Sequence, residues 1–249
     1  MVYPEPMAGL FAGTSGFAYP NWKPSFYPAE VPASGFLEYY ARRLNSVEIN
    51  YTFRRLPAAT TLQSWVQATP AGFRFAVKAH MKITHVLRLR NAAEFTEVFF
   101  RAIDPLRATR RLGPVLFQLP PQMRCDLTLL SEFLCILPSD ARCAFEFRHA
   151  SWLSDGVYDA LRTRNICLCL AESDKFETPE VLTADFVYSR LRRSDYSPEE
   201  RAQIREKAQS VLTEGKDVFL YFKHEDTPDG ALHAEELLAR GPAQGPPAG

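Results

Sequence analysis

Ionisable side chains recur at the ends of short apolar segments in this sequence. Glu48 lies in Val47-Glu48-Ile49-Asn50-Tyr51-Thr52-Phe53, Lys78 closes Phe75-Ala76-Val77-Lys78, and Glu146 and Arg148 alternate with Phe145 and Phe147. Successive side chains of an extended chain point to opposite faces. Glu48, Asn50 and Thr52 are thus expected on one face, with Val47, Ile49, Tyr51 and Phe53 on the other. By the same rule Ala76, Lys78 and His80 share a face, Gln118 opposes Phe117 and Leu119, Tyr188 joins Arg190, and Tyr221 joins Lys223. Two carboxylates, Glu48 and Glu146, could divide acid and base roles if their surroundings separate their pKa values, as a glycosidase or an isomerase requires. Lys78, Arg148 and Arg190 suit a phosphate or carboxylate, which arginine grips bidentately. A Schiff base at Lys78 needs a desolvated amine, and neighbouring carboxylates are expected to keep it protonated.

The same residues also fit a purely structural ion-pair network, because a buried charge must be paired. Metal chemistry has less support. His80, His85, His149, His224 and His233 show neither H-x-x-x-H nor H-E-x-x-H spacing, although His149 could converge with Glu146 and Glu172. No metal and no cofactor is assigned. His85, in Ile83-Thr84-His85, is a candidate anion contact or lid residue, or else a loop cap. Phe17, Tyr19, Trp22, Phe26 and Tyr27 form an aromatic loop that could stack a ring, though a packed cover is the simpler reading. Five cysteines, Cys125, Cys135, Cys143, Cys167 and Cys169, lack metal-knuckle spacing and read as small buried hydrophobes.

Such residues need elements to hold them. Eight β-prone runs are expected as strands: Phe11–Gly16, Ser46–Phe53, Phe73–His80, Val115–Pro120, Arg142–Arg148, Ile166–Glu172, Asp185–Arg192 and Asp217–Glu225. Between them lie helical patterns at Phe36–Leu44, Ala58–Ala68, Ala92–Leu112 (kinked or split at Pro105), Leu127–Leu137, Asp155–Arg164, Pro198–Leu212 and Ala231–Ala239. Ser173–Ala184 has room for only an irregular link or short helix. Repeated strand–helix alternation predicts an α/β fold, a single (β/α)8 TIM-type barrel. A doubly wound open sheet is the alternative, but Gly13-Thr14-Ser15-Gly16 lacks the dinucleotide-binding glycine spacing. The barrel domain is expected over residues 1–239, its core starting near residue 11, with a disordered Gly/Pro/Ala tail at 240–249.

At 249 residues the length suits one such barrel, and 46% hydrophobic residues suffice for a large core. Twenty-nine basic residues balance 29 acidic ones. That balance argues against a partner recruited by overall charge, duplex DNA or an acidic membrane surface among them. With no signal-like N-terminus and no apolar run of bilayer length, a cytoplasmic location is expected.

The ordered motifs resemble the YecE-like family, domain of unknown function 72. They are Gly13-Thr14-Ser15-Gly16; Trp22 with Phe26-Tyr27-Pro28; Val47-Glu48-Ile49-Asn50-x-Thr52-Phe53; Trp65 with Thr69-Pro70; Phe73-x-Phe75-Ala76-x-Lys78; Ile83-Thr84-His85; Leu112 to Pro121; and Glu146-x-Arg148-His149-x-Ser151-Trp152. The resemblance runs from about Gly13 to Leu238. It implies a barrel and points to Glu48, Asn50, Lys78, Thr84, His85, Gln118, Glu146, Arg148, His149 and Trp152. The chain departs from the family pattern late: Arg192-Arg193 follows the seventh strand in place of His-Gly. Lys223-His224-Glu225 stands where Asn residues close the eighth, and Glu172 is the acid after the sixth, with Asp174 nearby.

The leading expectation is an enzyme acting on a small anionic ligand at the C-terminal mouth of the barrel. Glu48, Glu146 and Lys78 are its catalytic candidates; Asn50, Thr84, His85, Gln118, Arg148, His149, Trp152 and Arg190 are its ligand-binding candidates. Alternatives are a metal-dependent phosphodiesterase or nuclease-like barrel, and a non-catalytic barrel binding a ligand or nucleic acid through Arg192, Arg193 and the aromatic loop. The sequence leaves the oligomeric state open.

Overall fold

The computed structural model describes residues 8–173, 176–223 and 226–239. The expected tail at 240–249, together with Asp174, His224 and Glu225, lies outside the described residues. The strands are β1 Leu10–Thr14, β2 Ser46–Ile49, β3 Arg74–Lys78, β4 Leu112–Gln118, β5 Cys143–Glu146, β6 Cys167–Leu168, β7 Leu170–Ser173, β8 Phe176–Glu177, β9 Phe186–Leu191 and β10 Asp217–Phe222. The α-helices are α1 Phe36–Arg43, α2 Ala59–Gln67, α3 Ala93–Ala108, α4 Leu127–Cys135, α5 Asp155–Thr163, α6 Pro198–Thr213 and α7 Asp229–Ala239.

The strands form two sheets, ordered β1-β10-β9-β7-β8 and β2-β3-β4-β5-β6, with every pairing parallel except β7–β8. Parallel neighbours need a crossover between them, which is why helices alternate with strands. β6 and β7 are separated by Cys169 alone, whose N–H bonds to Phe145 O at 2.8 Å. At the opposite edge Ser15 makes an isolated parallel bridge to Glu48. Side chains reinforce that junction. Asn45 accepts from Ala12 N at 2.9 Å and donates to Leu10 O at 2.7 Å, while Tyr40 Oη takes Thr14 N–H at 2.8 Å. Gly13 permits the approach: a Cβ there would stand 1.9 Å from Ser46 O.

Apolar packing explains the layers. A large cluster joins the helices to the outer strand faces, around Phe75, Phe99, Phe117, Phe133 and Phe145. A second, smaller cluster joins the two sheets' inner faces. Phe186, Tyr188, Phe219 and Tyr221 of β9 and β10 fill the space left by Ala76, Leu116, Ala144 and Cys167 of β3 to β6. Large residues opposite small ones give interdigitation without strain. Cys167 and Cys169 share this dry interior, where burial pushes both thiols up, Cys167 to about 12.

Three expectations need correction. Among the described residues no helix follows β7; the two-residue β8 pairs antiparallel with β7 before β9, so of the two readings of this link the short helix does not hold. This leaves a groove of about 320 Å³ on the outer sheet face, lined by Leu170, Val187, Leu191, Ile204, Ala208 and Val211 among others. α3 runs unbroken through Pro105, which sits in its last turn, so the helix is neither split nor ended there. β2 stops at Ile49: Asn50 turns into the helical region (φ −90°, ψ −14°) and Tyr51–Phe53 form a 3-10 turn. Among the described residues no helix is long and apolar enough to cross a membrane.

Candidate functional site

Four sequence-predicted residues meet at the C-terminal ends of their strands. Glu48 is fully buried near the end of β2, Glu146 closes β5, Gln118 closes β4 and Arg190 lies on β9, 2% exposed. Arg190 joins the carboxylates: Nη2 donates to Glu48 Oε1 at 2.7 Å and Nη1 to Glu146 Oε2. Ser15 Oγ and Tyr188 Oη also donate to Glu48, each at 2.7 Å. Burial raises the Glu48 pKa, but the Arg190 charge and these donors outweigh it and hold the carboxyl below its ordinary value of 4.5. Burial likewise disfavours the Arg190 cation, yet Glu48 and Glu146 push its pKa up.

Glu146 has further partners. Gln118 Nε2 bridges both its oxygens at 2.9 Å, and Arg192 Nη2 donates to them at 3.0 and 2.8 Å. Gln118 Oε1 then accepts from Lys78 Nζ at 2.9 Å, completing a chain from β3 to β9. Lys78 Nζ also sits 4.2 Å above the Phe53 ring. Thr52 Oγ1 donates to the Lys78 carbonyl at 2.7 Å, fixing the backbone below it. Burial, and then the Arg190 charge, outweigh Glu48 and Glu146 and draw the Lys78 pKa down to about 8, with Lys223 adding to the fall.

The segment after β3 forms a π-turn over Lys82–Val86, a conformation often found at functional sites. Arg88, Leu89 and Asn91 then adopt positive φ, a strain that surrounding structure must sustain. In the π-turn, buried Thr84 pairs its hydroxyl with His85 Nδ1 at 2.8 Å, and the His85 ring meets Phe53 edge-on at 5.0 Å. Burial lowers the His85 pKa, and the Lys78, Arg148 and Arg88 charges lower it further. His85 therefore faces the same cations. Arg148 is exposed and has no carboxylate partner among the described residues.

Other candidates do different work. Trp152 is fully buried, stacks on Phe147 at 4.8 Å and donates Nε1–H to Met123 O at 2.7 Å. That is a packing role, because no ring face is left for a ligand. His149 caps the turn at Ala150–Trp152 through Ser151, with Nδ1 accepting from Ser151 N at 3.1 Å. Asn50, half-buried, marks the end of β2. Arg190 is too buried for ligand to touch and serves as the link between two glutamates. Glu172 is held by Tyr196 and by Arg193, whose Nη2 is 3.4 Å away, so both leave the strand-end set. The aromatic loop is a packed cover: Trp22, Phe26 and Tyr27 are buried, and Tyr27 stacks on Phe36 at 4.2 Å.

Sequence reasoning missed Ser15 and Phe53 as members of this cluster, set Tyr188 on the Arg190 face without a site role, and named Arg192 only for the non-catalytic binding alternative. Arg192 had a signal, since it lies two residues beyond Arg190 and shares its face. Phe53 had none, because the turn after Ile49 reverses the facing that alternation assigns. Among the described residues no group of three or more His, Cys, Asp or Glu side chains is arranged to hold a metal ion.

A family model described as "Protein of unknown function DUF72" matches residues 11–247. The chain belongs to that family. UPF0759 protein YunF of Bacillus subtilis is 29% identical over 141 residues, which are 54% of this chain and 50% of YunF. UPF0759 protein YecE of Escherichia coli K12 is 31% identical over 131 residues, 52% of this chain and 47% of YecE. The chain thus spans about half the length of the curated relatives it matches. The crystal structure of a DUF72 family protein, TM1631 of Thermotoga maritima, is 27% identical with a TM-score of 0.83, covering 93% of this chain and 98% of that one. The DUF72 fold is accordingly α/β, with parallel sheets and surrounding helices.

Proposed function

We propose that this DUF72 chain is a single (β/α)8-type barrel enzyme that binds a small anionic ligand at the C-terminal ends of its strands. The barrel reading is supported by the Ser15–Glu48 bridge at one junction and the one-residue gap between β6 and β7 at the other. It treats residues 8–239 as one domain. The site reading rests on one observation. Three cationic side chains, Lys78, Arg190 and Arg192, are tied to two carboxylates directly or through Gln118, Arg190 engaging both, and the Arg148 charge bears with that of Lys78 on His85. The surplus positive charge lies on the outer members, Lys78, Arg148 and Arg192, which are also the more accessible ones. A phosphate or carboxylate brought among them would offset it, and Arg148 and Arg192 could offer paired donors.

In this reading Glu48 and Glu146 position Arg190 and Arg192, and proton transfer falls to Lys78 and His85. Glu48 has no route to a ligand, and every lone-pair direction of Glu146 that faces Gln118, Arg190 or Arg192 is in use. His85, held neutral near pH 7, is suited to accept a proton.

Inorganic phosphate and citrate, titrated against the full chain in a thermal melt, test the anion site. Both are expected to raise Tm, the shift growing with the logarithm of ligand concentration above Kd, by the linkage between binding and stability. Arg148→Ala is expected to abolish most of the shift and, being exposed, to leave the unliganded Tm near the parent value. An equal shift in the variant, or none in the parent, would refute the anion site.

A further inference from the structure

We propose that Lys78 is a nucleophilic amine that forms an imine with an aldehyde or ketone carrying an anionic group, bound at the cationic strand ends. The inference rests on the anion-binding reading above and assigns the chemistry that reading leaves open. Proximity of carboxylates would argue against it, since an ion-paired ammonium is a poor nucleophile. The geometry removes that objection. Among the described residues no carboxylate lies within ion-pair distance of Lys78; Glu48 is taken by Arg190, Ser15 and Tyr188, and Glu146 by Arg190, Arg192 and Gln118. Lys78 keeps one neutral hydrogen-bond partner, Gln118, and an aromatic face, Phe53.

The charged groups that bear on Lys78 come from several elements. Arg190 on β9 and Lys223 after β10 disfavour its proton, while Glu48 on β2 and Glu146 on β5 favour it. His85 on the π-turn is neutral and adjoins it. With burial added, the balance falls on the side of the free amine, which reaches half population at about pH 8. The amine has a defined setting. Thr52 pins its backbone, Gln118 orients the Nζ, and Arg148 and Arg192 stand ready for the ligand's charge.

The step balances without an external reductant or oxidant. The ammonium first gives a proton to solvent. The Nζ lone pair then attacks the carbonyl carbon, the C–O π pair moves to oxygen, and proton exchange yields a carbinolamine. Protonation of its hydroxyl and departure of water leave a protonated imine. Overall, ammonium and carbonyl give iminium and water. The iminium is an electron sink for bond cleavage or proton loss at the adjacent carbon, and His85, against the same Phe53 ring as Lys78, is the base assigned to take that proton.

Glyoxylate as the probe, with sodium borohydride to reduce any imine to a stable secondary amine, tests the proposal on the full chain. Peptide mass mapping then reports each lysine separately. A free-amine pKa near 8 gives a large gain in amine fraction at pH 7, offset in part by lower intrinsic nucleophilicity, so Lys78 is expected to label roughly tenfold faster than the chain's exposed lysines. Its labelling rate is expected to reach half-maximum near pH 8. Inorganic phosphate is expected to suppress labelling at Lys78 alone, and uncharged propionaldehyde to label it more slowly than glyoxylate. Lys78→Arg keeps the charge and is expected to lose the adduct while retaining the phosphate-induced Tm shift. Labelling of Lys78 no faster than of other lysines overturns the imine, and does so whether or not phosphate still stabilises the protein. Equal labelling by glyoxylate and propionaldehyde, untouched by phosphate, overturns the anionic ligand class and with it the site reading.

Discussion

Lys78 is the residue at which local physics and stability pull in opposite directions. Its ammonium is half-buried beside Arg190 without an ion-pair partner, so the folded state holds that proton less tightly than the unfolded chain does. For a base of depressed pKa the sign is fixed. Burying the charged form costs stability in full below about pH 8, and the cost is relieved as pH rises toward the unfolded value of 10.5. Lys78→Met, similar in length but uncharged, is therefore expected to be more stable than the parent at pH 7. Denaturant melts at pH 7 and pH 10 check this: the advantage is expected to shrink at the higher pH, and a constant difference would mean that Lys78 carries no such penalty. A residue kept at a cost to stability is commonly kept for function. Alternation along the segment ending at Lys78 revealed that it faced the other ionic groups. It did not reveal the matching of carboxylates to arginines, because those pairings join β2, β5 and β9 and are set only by tertiary packing.

At the scale of elements, strands were easier to read than their ends. β4, β9 and β10 fall close to their expected ranges because apolar β-branched and aromatic runs are bounded by polar turns. β2 was expected to reach Phe53, since Tyr51-Thr52-Phe53 continues the alternation, but Asn50 turns the chain and sends Phe53 to cover Lys78. Of the two readings of the link before β9, the irregular one holds among the described residues, which form β8 and no helix. By contrast α6 shows its predicted start. Ser197 accepts from Glu200 N at 3.2 Å and Glu200 Oε2 accepts from Ser197 N at 2.8 Å, a reciprocal cap. The β1–β2 junction gives the clearest element-level prediction. Gly13→Ala places a methyl carbon 1.9 Å from Ser46 O and 2.6 Å from Tyr40 Oη, so the strands must separate or shift. A loss of about 1–3 kcal/mol is expected, read from denaturant melts, together with faster amide exchange at Thr14 and Ser15. An unperturbed melt would show the junction to be looser than its hydrogen bonds suggest.

For the whole molecule, the ionic cluster is also a fastening. Ser15 bridges to Glu48 in the backbone and donates to it through its side chain, so the carboxylate that anchors Arg190 also helps hold β1 against β2. Glu48 is held below its ordinary pKa, hence its contribution to stability is complete above the usual carboxylate range. It is lost as pH falls through 4.5 toward the folded value. Glu48→Gln is expected to cost about 3 kcal/mol at pH 7, as breaking a buried pair does, with the gap to the parent narrowing as the pH drops below 4.5. A gap independent of pH would detach Glu48 from the acid response. The α/β class could be read from alternation and length, and the motif order added the family. The sharing of two glutamates by one arginine could not, since it depends on which strands the sheets place side by side.

The flank lacking a crossover helix has an engineering consequence. Between β8 and β9 the chain is moored through Glu180 to Lys207 of α6 and through Leu182 to Arg162 of α5, and touches none of the strand-end cations. An epitope or fluorescent reporter spliced beside exposed Pro179 would ride on the outside of the molecule, leaving the strand-end cluster uncovered.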